Sequence, residues 1–289
     1  MTFLNAVIQG VLLGGLYALL ASGLSLMFGV MRLVNLAHGA LAAVAAYLAY
    51  SVVGAWGWNP FLALALVVPV MAGLGYLLQR TLLNRALSFG QLQPLLVTFG
   101  LAVIAENQLL QHYSADSRAL QIGRLGEASL RLSTEVSIGA FPLLTFLVGV
   151  GAVIGLQLYL SHTVTGRAMR ATSEDRSAAQ LMGLDDRHVY ALATAIALGL
   201  VGVAGVFLGM RTTFTPTGGG AILLFAFETV VIGGLGSLWG TLAGGMTLGM
   251  AQLVGAAVQP AYGVLTGHLV FLLVLALRPQ GLISRAVTA

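Results

Sequence analysis

Apolar residues run through this chain in long blocks, not in the alternation of a half-buried strand. Nine stretches are almost free of charge, at residues 3–31, 34–54, 60–79, 93–113, 139–160, 189–209, 221–235, 237–256 and 260–277. Most approach or exceed the ~20 residues that carry a helix across a bilayer. The first is long enough to tilt or bend, and the seventh is short enough to be a broken or re-entrant piece. The pattern predicts an all-α, polytopic membrane bundle of about eight to nine transmembrane segments. One membrane domain over residues 1–289 is the simplest organisation. Two polar breaks interrupt it, at 114–138, where SLRLSTEVSI suggests a short alternating strand, and at 161–188.

Composition strengthens this reading. Of 289 residues, 58% are hydrophobic and 8% charged, against about 25% charged in an ordinary soluble domain. The start, MTFLNAVIQGVLLGGLYALL, lacks the basic stretch of a cleaved signal peptide and reads as a retained first helix.

All 13 basic residues are arginine, and there is no cysteine. A phosphate-binding P-loop and a lysine Schiff base both need a lysine, so neither belongs to this chain. Thiolate metal sites and cysteine nucleophiles are excluded too. The histidines are scattered, with no His-x-x-x-His pair, so no metal site is expected. Ser22–Gly23 and His268 lack the Gly-x-Ser-Gly turn of a membrane serine peptidase. The basic charge sits in short loops, which fits membrane topology better than nucleic-acid binding.

With the N-terminus outside and alternating segments, nine arginines face the cytoplasm (32, 80, 85, 167, 170, 176, 187, 278 and 285) and four face out. That satisfies the positive-inside rule, and the opposite orientation violates it. Loop 114–138 is then extracytoplasmic and loop 161–188 cytoplasmic.

The densest charge in the chain, GRAMRATSEDRSAAQLMGLD, spans 166–185. Taken as one helix over 167–182, capped by Thr165 and ended by Gly183, it places Ala168, Ala171, Thr172, Asp175, Ala178, Ala179 and Met182 on one smooth face. An interfacial helix would show large apolar side chains there. Small ones suit close docking against another protein.

This run resembles the cytoplasmic coupling loop of ABC importer permeases of the branched-chain amino acid (LivH/LivM) family. ALLASGLSLMFGVMRLVNLAHG, TPTGGG followed by VVIGGLGSLWGTLAGGMTLG, and LRPQGL resemble other motifs of that family, in the same order. The resemblance covers nearly the whole chain. It implies a bacterial inner-membrane subunit that is not itself an enzyme and holds no cofactor. Its partners would be a second related permease, two separate ATPase subunits that bind ATP, and an extracytoplasmic substrate-binding protein. Carried over residue by residue, the ATPase-coupling candidates are Arg167, Arg170, Ala171, Glu174, Asp175, Ala178, Ala179 and Gly183.

Ionisable groups at membrane depth are costly and mark candidate functional sites. Asn35 and His38, three apart on one presumed helix face, either line the path or tie helices together. Glu106 and Asn107 lie in the fourth segment. Glu228 sits among apolar neighbours and suits a pore or gate, while His268 reads as a packing residue. The family element after Ala-His-Gly often has an acidic residue where this chain has Ala40, and the Glu228 position is often neutral. These departures leave the substrate open between branched-chain amino acids, other amino acids, urea and amides. Gly236, Gly240 and Gly244 share one helical stripe, with Gly245 and Gly249 on another, a spacing that lets helices pack closely. A secondary transporter driven by an ion gradient, using Glu106 or Glu228, is the competing function.

Overall fold

The computed structural model describes residues 3–90, 92–131 and 137–283. Seven helices are long and apolar enough to cross a membrane: α1 (Phe3–Met31), α2 (His38–Trp56), α3 (Pro60–Leu78, continuing to Leu87 through a π-helical turn, Gln79–Leu83, and α4, Asn84–Leu87), α5 (Leu92–Tyr113), α7 (Ala140–His162), α10 (Asp186–Arg211) and α12 (Leu238–Val258). Two further apolar helices are shorter, α11 (Gly219–Gly233) and α13 (Tyr262–Leu277). The chain is an all-α, multi-pass membrane protein. Between the spans lie α6 (Arg124–Glu127), α8 (Val164–Glu174) and α9 (Arg176–Leu181). Part of the strand expected in 114–138 is present. Strands β1 (Ser129–Arg131) and β2 (Ser137–Gly139) pair antiparallel, and residues 132–136 lie outside the described residues.

Local chemistry sets the helix ends. Asn59 accepts a hydrogen bond from the Phe61 amide at 3.0 Å, and Pro60 opens α3 where its missing N–H costs nothing. Gly57 ends α2 in the left-handed conformation, φ +65°. The π-helical turn is held by Gln79, which is fully buried. Its carbonyl oxygen accepts from Thr194 at 2.8 Å and its amide donates to Asn84 at 3.0 Å.

By contacts the chain divides into two compact units, and three of the four boundaries fall inside helices, α1, α7 and α11, while the fourth lies between α5 and α6. No shift in composition marks the three inside helices. The first unit comprises residues 1–25, 122–153 and 225–289. Glycine organises it. On α12, Gly245 and Gly249 face Gly14 and Gly10 of α1, where any added Cβ would strike backbone. Gly240 and Gly244, on a second stripe, face Gly233 and Thr229 of α11. Gly236 does not belong to that stripe. It lies in the turn before α12 with φ +79°, because the chain turns at 234–237 and the helix begins only at Leu238. Backbone bonds from Leu282 to Ile232 (2.8 Å) and Ile283 to Gly233 (3.1 Å) pin the chain after α13 to the end of α11.

The second unit comprises residues 26–121 and 154–224. Here α10 is the central helix, packed on α3 and α2. Gly205 lets it approach Ala42, and Gly75 of α3 lies against Thr194 and Leu198 of α10. Arg118 and Phe214 exchange backbone hydrogen bonds (2.9 and 2.8 Å), closing the chain that follows α5 onto the chain that follows α10.

Candidate coupling segment and membrane-embedded polar groups

The 161–188 segment is not one helix. Thr163 caps α8 by accepting from the Gly166 amide at 2.9 Å, whereas Thr165, the expected cap, bonds through its hydroxyl to Tyr159 at 2.5 Å. The helix stops at Asp175, whose backbone turns extended (φ −144°, ψ 105°). The Asp175 carboxylate then accepts from the amides of Ser177 (2.8 Å) and Ala178 (3.0 Å), so it caps α9. An acidic residue at the centre of a supposed smooth face is thus a helix start. Gly183 ends α9 with φ +86°, with Leu184 donating to the Ala179 carbonyl and Gly183 to Gln180.

The break scatters the expected face. Thr172 and Ala179 are buried, while Ala171, Asp175 and Ala178 are exposed. The largest exposed groups are Leu181 (90%) and Met182 (84%). Leu181 carried no role in the sequence reading; its position two residues before the terminating glycine was the available signal. Arg167 and Arg170 turn back to the carbonyls of His162 (3.3 Å) and Ser161 (3.4 Å), the end of α7, where cations favour the helix dipole. Glu174 is exposed and has no side-chain partner among the described residues.

A carboxylate clamp fixes this segment to α10. Arg176 binds one oxygen of Asp186 through Nε (2.7 Å) and Nη2 (2.6 Å), and Gln180 donates to the other at 2.9 Å. Asp186 is 5% exposed. The preceding Asp185 caps α10 and meets Arg80 at 3.4 Å. The sequence reading did not single out the clamp, which joins residues ten apart across the α9–α10 turn.

Inside the membrane, Asn35 and His38 do not share a helix face. Asn35 precedes α2; its side-chain oxygen accepts from the Ala37 amide (3.0 Å) and its carbonyl from the His38 amide (3.2 Å). Both residues are buried. The Leu36 amide donates to buried Thr98 of α5 at 3.1 Å. The reason is local: Arg32 takes φ +53° at the end of α1, and the chain needs a turn before α2 can start.

Gly39, in the first turn of α2, lies against Gly219, the first residue of α11. A Cβ at Gly219 would also meet Ala40 and come within 2.7 Å of the Glu106 carboxylate. Two helix N-termini and one half-buried acid therefore converge in this unit. The N-terminal ends of helices carry unpaired amides and partial positive charge. Asn107 points elsewhere: it is exposed, and its amide donates to the Val103 carbonyl at 2.8 Å.

Glu228 and His268, 40 residues apart, form a pair at 2.5 Å between α11 and α13. Glu228 is 1% exposed, and its second oxygen has no hydrogen-bond partner among the described residues. Phe225 stacks on His268 at 6.1 Å and lies 5.5 Å from Tyr17, whose hydroxyl donates to Gln252 at 2.5 Å. His268 is thus the partner of the acid, a pairing that no spacing rule reaches.

The sequence profile described as branched-chain amino acid transport system permease component matches residues 6–277. The chain belongs to this family. Among curated proteins, the permease is 30% identical over 98% of its length to the high-affinity branched-chain amino acid transport system permease protein BraD of Pseudomonas aeruginosa, covering 96% of that protein. It is 27% identical to LivH of Escherichia coli, with the same coverage of both chains. A probable LivH of Methanocaldococcus jannaschii is 30% identical over 92% of this chain and 85% of that one. No solved structure matches the permease.

Proposed function

We propose that the permease is one membrane subunit of an ATP-driven importer for branched-chain or related amino acids. It works as a single permease domain beside a second related permease, with two ATPase subunits at its cytoplasmic face and an extracytoplasmic binding protein that delivers substrate. It lies in the bacterial inner membrane with its N-terminus outside and its C-terminus inside. ATP is bound by the partner subunits, and this chain holds no cofactor.

The observation that carries this reading is the α8–α9 segment. It is clamped to α10 through Asp186 and presents exposed Leu181 and Met182. A short helix needs tertiary support to hold its shape. A clamped one passes a push from a bound motor to the spanning helix behind it. ATP binding then biases a bundle with inward-open and outward-open arrangements. Substrate meets the converging ends of α2 and α11 near Asn35, His38 and Glu106. Helix N-termini suit a carboxylate group and Glu106 suits an ammonium group, so this pairing of charges favours an amino acid over urea or an amide.

A gradient-driven carrier is the second reading, and the pairing of buried Glu228 with His268 is what favours it. Purification from native membranes in mild detergent separates the two. The importer reading expects stoichiometric ATPase subunits whose ATP hydrolysis rises with binding protein and ligand. A lone chain that transports without them would establish the carrier. In the importer, replacing exposed Leu181 by Asp is expected to lower transport at least about tenfold while membrane insertion is unchanged, in line with loss of a central interface anchor. Uptake at the normal rate would remove α9 from the docking surface.

A further inference from the structure

We propose that the permease holds the headgroup phosphate of an anionic phospholipid in a cavity of about 570 Å³ in its second unit, lined by Arg80, Arg85, Ser88, Asp185, Asp186 and Arg187. The volume lies within the roughly 300–1,000 Å³ usual for small-ligand sites. Its acids are already engaged. Both oxygens of Asp186 are held by Arg176 and Gln180, while Asp185 caps α10 and meets Arg80. Arg85 and Arg187 have no side-chain partner among the described residues, so two guanidinium groups remain for an anion. Guanidinium forks match phosphate oxygens in pairs.

The walls are braced. Asn84 donates to the Arg187 carbonyl at 3.1 Å and accepts from Gln79 of the π-helical turn, tying the α4 side to the α10 side.

The position selects the ligand. The spans Pro60–Leu87 and Asp186–Arg211 both end at this cavity, which places it where the apolar layer meets water. Leu82, Phe89 and Leu92, adjacent in the chain, are exposed at 45%, 75% and 71%. A free phosphate has no use for such exposed apolar side chains, whereas the acyl chains of a lipid have one. Basic pockets at membrane boundaries bind anionic headgroups in this manner.

The test uses the full chain, purified in mild detergent and offered equal amounts of phosphatidylglycerol and phosphatidylcholine, with retained lipid counted by native mass spectrometry. Wild type is expected to retain phosphatidylglycerol in clear excess. Arg85→Gln combined with Arg187→Gln is expected to reduce that excess about tenfold or more, as two lost charges near an anionic surface imply. Arg278→Gln, which removes a cation elsewhere, should leave it intact. Equal retention of the two lipids by wild type, an unchanged excess in the double variant, or an equal loss in Arg278→Gln would each overturn the proposal. So would inorganic phosphate displacing phosphatidylglycerol at matched concentration, which would make the site one for the free anion. Release of bound ATPase subunits by the double variant with its lipid preference intact would make the cavity a protein dock instead.

Discussion

Two acidic side chains in the permease are held in opposite ways. Asp186 is almost covered, yet both its oxygens are occupied, and its partner Arg176 is half exposed to solvent. Glu228 is covered as completely, but with one partner, the partly exposed His268, and one oxygen left over. The first arrangement is a brace that water helps to pay for. The second keeps a costly group whose loss of partner nothing nearby can compensate. Asp186 keeps one partner when the other is lost, whereas Glu228 is left with none.

The strongest way to break this comparison is His268→Ala. It strands Glu228, and we expect a loss of about 3–5 kcal/mol, seen as a large fall in the thermal midpoint of the detergent-purified permease. Replacing both members, Glu228→Gln with His268→Asn, should recover more than half of that loss. If the double variant is as unstable as the single one, the cost lies in packing and not in an uncompensated group. At the other end of the contrast, Asp175→Ala removes the cap of α9 and should cost about 1 kcal/mol. Hydrogen exchange at the Ser177 and Ala178 amides would quicken roughly fivefold, and unchanged protection there would deny the cap its role. The smallest effect is expected from Arg80→Gln. Its 3.4 Å pair with Asp185 has both side chains substantially exposed, so stability should move by less than about 0.5 kcal/mol at moderate salt. A larger shift would show that the Asp185–Asp186 end of α10 acts as one network.

The spanning helices were legible because length and hydropathy are properties of a window of sequence. Even the shortness of α11 was visible in residues 221–235. What escaped was anything decided by a turn. Asn35 reads as helical by spacing with His38, but Arg32 in a left-handed conformation delays α2 to residue 38. Gly236 fits a four-residue stripe on paper and sits in a turn in space. Asp175 reads equally well as a helix-face acid or a cap, and backbone geometry decides for the cap. Pairings across the fold were out of reach for a different reason. Glu228 and His268 were each conspicuous, but only packing of α11 on α13 makes them one object.

The most apolar stretch of α1 is 89% buried, whereas that of α5 is 17% buried. Helix α1 also precedes in the chain every helix that covers it. During synthesis it meets Phe146 and Gly149 of α7 first, and it must wait in lipid with its remaining face uncovered until Gly245 and Gly249 of α12 are made more than 200 residues later. Its even hydrophobicity is suited to that delay, since no polar face is left stranded in the hydrocarbon. Its glycines Gly10 and Gly14 keep a seat open for a helix that arrives near the end. Biogenesis of this permease is consequently an ordering problem, in which the earliest helix is among the last to be finished.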